Sequence, residues 1–138
     1  MNEYRFSDIY VGLEESFSKT VTEEMVNQFL AITDDTNPLH NDEEYAKSKG
    51  FKSRVVYGML TSSLLSTLAG VYLPGKYSLI YSVTVGFSRP VFIGDTLFVK
   101  GKVISVDDRF NTFVMKVTIV NESRETVLRG TMEIGIKE

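Results

Sequence analysis

Gly58-Met59-Leu60-Thr61-Ser62-Ser63-Leu64-Leu65-Ser66-Thr67-Leu68-Ala69-Gly70-Val71-Tyr72-Leu73-Pro74-Gly75 is the stretch around which the rest of this chain is organised. Its apolar residues recur at helical spacing, at Met59, Leu60, Leu64, Leu65, Leu68, Val71 and Tyr72, and Pro74-Gly75 supplies a stop. The spacing predicts a helix from Gly58 to Leu73. Serine, threonine, alanine and glycine between the leucines suit a helix packed closely on several sides, with Met59, Leu60, Leu64, Leu65 and Leu68 in the core. After it the texture changes to four β-rich runs, Tyr77 to Arg89, Thr96 to Val106, Phe110 to Asn121 and Thr126 to Ile136. Gly94-Asp95, Asp107-Asp108 and Glu122-Ser123 separate them with turn chemistry. Phe113, Met115, Val117 and Ile119 alternate with Thr112, Lys116 and Thr118, which predicts a one-sided strand in an antiparallel meander. With a further strand at Leu13 to Val21, this gives an α+β fold in which about five antiparallel strands wrap one long central helix.

Upstream, Thr22 followed by Glu23 and Glu24 marks a helix start, because a side-chain oxygen caps free amides and carboxylates oppose the dipole. Met25, Val26, Phe29, Leu30 and Ile32 form its apolar face. Asp42 caps a second short helix, and Gly50 ends it. Between the two lies Asp35-Thr36-Asn37-Pro38-Leu39-His40, which carries the single histidine of the chain five residues after a carboxylate. We expect this polar segment to be non-helical.

Composition bounds what such a chain does. It has 138 residues, 43% of them hydrophobic, the amount of one compact domain spanning residues 1–138. A net charge of −3 with scattered lysines and arginines provides no footprint for nucleic acid or an anionic membrane. Without cysteine there is no disulfide framework, no thiol nucleophile and no thiolate metal site, a composition compatible with a reducing cytoplasm. The first ten residues lack an apolar signal core, and no apolar run approaches the roughly 20 residues of a membrane span. One histidine excludes a histidine-rich metal site. No P-loop, Gly-x-Gly-x-x-Gly fingerprint or Gly-x-Ser-x-Gly elbow is present. The expectation is a cytoplasmic protein with no metal, nucleic acid or membrane partner.

Thr33-Asp34-Asp35-Thr36-Asn37-Pro38-Leu39-His40-Asn41-Asp42, then Tyr57-Gly58-Met59-Leu60, Leu73-Pro74-Gly75, and Phe87-Ser88-Arg89-Pro90-Val91-Phe92-Ile93-Gly94-Asp95 together resemble the MaoC-type hot-dog dehydratases. Within them the similarity is to the (R)-specific enoyl-CoA hydratase group, from about Glu14 to Ile136. The resemblance implies a homodimeric hot-dog fold and reversible addition of water to a trans-2-enoyl thioester, giving an (R)-3-hydroxyacyl product. It implies an acyl-CoA substrate, with acyl carrier protein as an alternative carrier, and no cofactor. That chemistry needs a base for water, an acid for the α-carbon and a donor for the developing oxyanion. Pro38 fixes φ, so the segment can hold a bend in which Asp35 and His40 converge on one water, and Asn37 braces that bend or the substrate. By resemblance, Asp35 and His40 hold the water and the backbone amide of Gly58 binds the thioester oxygen. Ser66 matches a position beside the catalytic carboxylate and acyl chain, and Ala69 an acyl-pocket position.

The chain departs from the family pattern at Tyr57, where histidine is common, and at Arg54, where proline is common. Both departures bear on the substrate entrance, and Arg54 is either a CoA-phosphate contact or a plain surface charge. Asp34 is the candidate helix-terminal aspartate, leaving Asp35 for catalysis. The alternatives from the residues are a dehydratase acting on acyl carrier protein, a hot-dog thioesterase and a non-catalytic acyl-CoA binding module.

Overall fold

The computed structural model describes residues 1–138. Strand β1 (Glu14–Thr20) leads to helix α1 (Glu23–Thr33), followed by a single helical turn α2 (Pro38–Asn41) and a short α3 (Glu43–Ser48). Helix α4 (Gly58–Thr67) runs on into a π-helical turn at Leu68–Tyr72, so helical backbone covers nearly the whole stretch expected from sequence. Strands β2 (Ser78–Phe87), β3 (Thr96–Asp107), β4 (Thr112–Val120) and β5 (Thr126–Ile136) complete the chain. The four β-rich runs and the early strand are all present, in one antiparallel sheet.

The sheet order is β1-β3-β4-β5-β2, so only β3, β4 and β5 form the expected meander. Strand β2 lies at the far edge beside β5, while β1 pairs with β3 at the opposite edge. The helical segment lies across the sheet between these two strands, and the chain therefore re-enters on the other side. Leu64, Leu65, Leu68 and Ala69 of the helical segment join Leu97, Val99, Val103, Phe113, Met115, Val117, Ile119, Leu128, Met132 and Ile134 in one buried cluster. Gly101 in β3 is the floor on which the helix rests: a Cβ there would lie 3.0 Å from Leu68 Cδ2 and would overlap the Met115 side chain.

Three expectations about packing are corrected. Helix α4 is covered on one face only, because Met59 is 65% exposed and Ser63 and Ser66 are also open to solvent in the single chain. Ser63 and Ser66 line this open face, whereas Thr61 and Ala69 are buried. In α1 only Val26 is fully buried, with Met25, Phe29 and Leu30 partly covered, while Ile32 points away from the sheet at the helix end. Thr112, expected on the solvent side of β4, is also buried.

Candidate active site

The site is assembled where α1 ends. Thr22 Oγ1 accepts the Met25 amide at the start of α1, and at the other end Asp34 takes a left-handed conformation (φ 56°) while its amide donates to the Leu30 carbonyl. Asp34 thus closes the helix, as its position suggested, and Asp35 is carried out of the helix axis. Thr33 Oγ1 accepts the Asp35 amide at 3.2 Å, and Asp35 Oδ1 accepts the Asn37 amide at 3.1 Å in an Asx turn.

The segment that follows is partly helical, contrary to the sequence expectation. Asn37 Oδ1 accepts the Leu39 amide at 2.9 Å, Pro38 occupies the first helical position, and His40 sits on the resulting turn. An asparagine cap with proline at N1 is a favourable helix start. Four residues are too few to leave a periodic signature. Asn37 consequently acts on the backbone that presents His40.

His40 Nδ1 lies 2.6 Å from the Val55 carbonyl oxygen. A carbonyl only accepts, so Nδ1 carries the proton and donates it, leaving Nε2 as the nitrogen available for proton exchange. Beneath His40 the Tyr57 ring stacks at 4.2 Å between centroids, tilted by 31°, and Phe29 packs on Tyr57 at 4.8 Å. Tyr57 is 2% exposed, and its hydroxyl donates to the Asp35 carbonyl at 2.7 Å. Asn41 Nδ2 donates to the Tyr57 oxygen at 3.1 Å and lies within reach of the Asn37 and Asp35 carbonyls. One buried tyrosine therefore supports both the carboxylate-bearing turn and the imidazole. Sequence reasoning placed Tyr57 at the entrance; the structure places it under the pair, and its position directly before Gly58 was the signal available.

Gly58 is the first residue of α4. The first amides bonded within that turn are those of Leu60 and Thr61, both donating to the Tyr57 carbonyl, and the Gly58 and Met59 amides have no acceptor in the chain. A side chain at Gly58 would bring its Cβ within 3.1 Å of the Phe87 ring. Glycine leaves that gap open above a helix N-terminus, where free amides and the dipole favour negative charge.

Asp35, His40, Tyr57 and Gly58 line a cavity of about 400 Å³ together with Phe29, Thr33, Met59 and Phe87. A second cavity of about 320 Å³ adjoins it across His40, Gly58 and Phe87 and is walled mainly by Phe51, Val55, Val56, Pro90, Val91 and Val127. The structure thus brings Asp35, His40 and Gly58 together, with Asn37 bracing them. It does not bring Ser66 or Ala69 to either cavity. Ser66 lies about 12 Å further along the helix on the open face, and Ala69 is fully buried in the core. Arg54, 18% exposed, pairs with Glu23 at 3.1 Å and ties the α3–α4 connection to α1. Arg89 stands at the rim of the second cavity, paired with Glu125 at 3.0 Å. No group of three or more His, Cys, Asp or Glu side chains is arranged to hold a metal ion.

Comparison with known proteins places this geometry in context. Residues 11–124 match the MaoC like domain. The (R)-specific enoyl-CoA hydratase of Rhodospirillum rubrum is 34% identical over 119 residues, covering 85% of this chain and 83% of that protein. The (R)-specific enoyl-CoA hydratase of Aeromonas caviae is 41% identical over 85 residues, covering 62% of this chain and 63% of that protein. Among solved structures, an R-hydratase from Pseudomonas aeruginosa superposes with a TM-score of 0.90 at 31% identity, covering 96% of this chain and 85% of that one.

Proposed function

This chain belongs to the MaoC-like dehydratase family, and on that premise we propose that residues 1–138 form one hot-dog domain that catalyses reversible hydration of trans-2-enoyl-CoA to (R)-3-hydroxyacyl-CoA. The observation that carries the assignment is the convergence of Asp35, His40 and the unbonded Gly58 amide on one cavity. In the hydration direction, a water held by Asp35 and His40 Nε2 adds its oxygen to the β-carbon. The proton lost by water enters the Asp35–His40 pair, and a proton from the pair is delivered to the α-carbon, so the enzyme is unchanged after one turnover. The imidazolium formed transiently keeps its Nδ1–H on the Val55 carbonyl, which holds Nε2 in place through the step. Charge that develops on the thioester oxygen is met by the Gly58 amide, a donor of the kind worth roughly 3 kcal/mol in the transition state. The reaction balances without a cofactor, the CoA thioester being the substrate. The adjoining apolar cavity gives the bound thioester room on the far side of Gly58.

A homodimer belongs to the same proposal. The ten-residue edge strand β2 leaves Leu79, Ile80, Tyr81, Val83 and Phe87 between 39% and 55% exposed, and a long apolar edge of this kind is commonly paired with a second copy. A cytoplasmic location is proposed on the cysteine-free composition; none of the helices is long and apolar enough to cross a membrane.

The function is tested by mixing the purified protein with crotonyl-CoA. Enoyl-thioester absorbance is followed with a free-thiol assay in parallel and chiral analysis of the product. Loss of absorbance without thiol release, giving the (R)-alcohol, is the expected result. Thiol release would move the chain to thioester hydrolysis, and an unchanged substrate would point to another acyl carrier or to binding alone.

A further inference from the structure

Three residues line both cavities: His40, Gly58 and Phe87. The first two have their work in the proposed chemistry, and Phe87 has none there. It is the last residue of β2, where its register against Leu128 and the Ser88 amide on the Val127 carbonyl at 2.9 Å fix the backbone. Side chains two apart share a face of a strand, so Phe87 follows Val85 on the face turned to α4. Val85 packs on the core, whereas Phe87 reaches the first residue of the helix and stays 51% exposed. Its ring lies against Gly58: a Cβ built there would be 3.1–3.3 Å from Cε1, Cδ1 and Cζ. An inward-facing phenyl ring left half in water where two cavities meet is apolar surface that a ligand can cover.

Ala69, the acyl-pocket position implied by resemblance, is fully buried in the core, so the acyl chain needs another wall. Phe51, Val55, Val56, Val91 and Val127 of the second cavity supply one. A hydrocarbon has no polar atom to satisfy among such walls, whereas the amides of a pantetheine arm would go short of partners. We propose that Phe87 is a substrate-contacting specificity residue: its ring is the partition between the catalytic and the apolar cavity, and it sets how far the acyl chain of an enoyl thioester extends past Gly58. The inference rests on the hydratase function proposed above, since it needs a thioester held at Gly58. A four-carbon chain places its reacting carbons at Asp35 and His40 and ends beside the ring, while a longer chain has to pass it.

The test is Phe87→Ala and Phe87→Leu, each assayed on crotonyl-CoA and on trans-2-octenoyl-CoA. The ratio of kcat/KM for eight carbons to that for four, taken on one preparation, does not depend on how much of it is folded or assembled. Relative to wild type the ratio should rise about tenfold in Phe87→Ala and less in Phe87→Leu, because each methylene that an apolar pocket accepts or refuses is worth about tenfold or more in discrimination. Removing a half-exposed ring should leave the melting temperature almost unchanged. A ratio in Phe87→Ala within about twofold of wild type, including an equal loss on both substrates, would overturn the proposal. Should wild type hydrate neither enoyl thioester, the hydratase reading falls, and calorimetry with saturated butyryl-CoA and octanoyl-CoA decides on Phe87. A shift of the affinity ratio toward octanoyl-CoA in Phe87→Ala upholds the partition; an unchanged ratio, or no binding by wild type, overturns it. If alanine at this site prevents folding, Phe87→Leu is put through the same comparison.

Discussion

The turn from Thr33 to Asn41 and the helix–sheet core hold their shapes by different means. In the turn, position is set by directed hydrogen bonds: Asn37 on the Leu39 amide, Asp35 on the Asn37 amide, and Tyr57 on the Asp35 carbonyl. Most of its residues are exposed, and Asp35 itself is open to solvent. In the core, the side chains of Leu68, Met115, Ile119 and Leu128 are fully buried and apolar, and their positions follow from volume and close packing. Hydrogen bonds contribute about 1 kcal/mol each but specify direction, whereas buried apolar side chains contribute more and specify only fit. Stability and catalytic geometry should therefore respond to different substitutions. Tyr57 is the exception, being both buried and hydrogen-bonded into the turn.

The largest effect that separates the two regions is expected from Leu68→Ala, which empties the contact between the π-helical turn and Gly101. Chemical denaturation should show a loss of about 2–5 kcal/mol while turnover per folded molecule is retained. A comparable loss of turnover would mean that the core also sets the catalytic geometry. Next come Asp35→Asn and His40→Ala, each expected to lower turnover by around a hundredfold or more with the melting temperature almost unchanged. Near-normal activity in either variant removes that residue from the mechanism. Tyr57→Phe sharpens the comparison because it deletes only the hydroxyl that holds the Asp35 carbonyl. About 1–2 kcal/mol of stability and a smaller loss of kcat, on the order of tenfold, should go together, with KM little changed. A loss of stability alone would restrict Tyr57 to the core.

The smallest effect lies outside both regions. Tyr4 donates to Glu15 Oε1 at 2.6 Å, and this hydrogen bond, with burial and the negative charge of Glu15, pushes its phenol up to about 12 from 10.0. A group whose pKa rises on folding contributes stability that is complete below its unfolded value and is lost as pH climbs through the folded value. Wild type should accordingly lose a small increment between pH 10 and 12 that Tyr4→Phe lacks, measured by urea denaturation across that range. Identical pH profiles would remove the linkage.

Much of this was legible in order along the chain. Strand alternation in β4, the helix start at Thr22 and the stop at Pro74-Gly75 are local signals, and the structure contains the elements they announce. The residues Asp35, His40 and Gly58 were legible as a motif, and they line one cavity. Less legible was α2, whose four residues are too short for periodicity. The same holds for the open face of α4: serines spaced among leucines read alike whether a helix is enclosed or waits for a neighbour. Ser66 and Ala69 were singled out by similarity of position, and neither lines a cavity in the single chain because the helix turns them outward and into the core.

By itself the sequence determined the inventory: a long central helix among antiparallel strands, one histidine five residues after a carboxylate, and a glycine at a helix start. Those properties depend on residue type and on neighbours a few positions away. Tertiary structure alone decided the strand order, the tautomer of His40 through Val55, the support of Asp35 and His40 by Tyr57 and the unpaired hydroxyl of Thr61. Each of these depends on which distant groups meet, and a buried polar atom acquires its partner, or goes without one, only when the chain has closed around it.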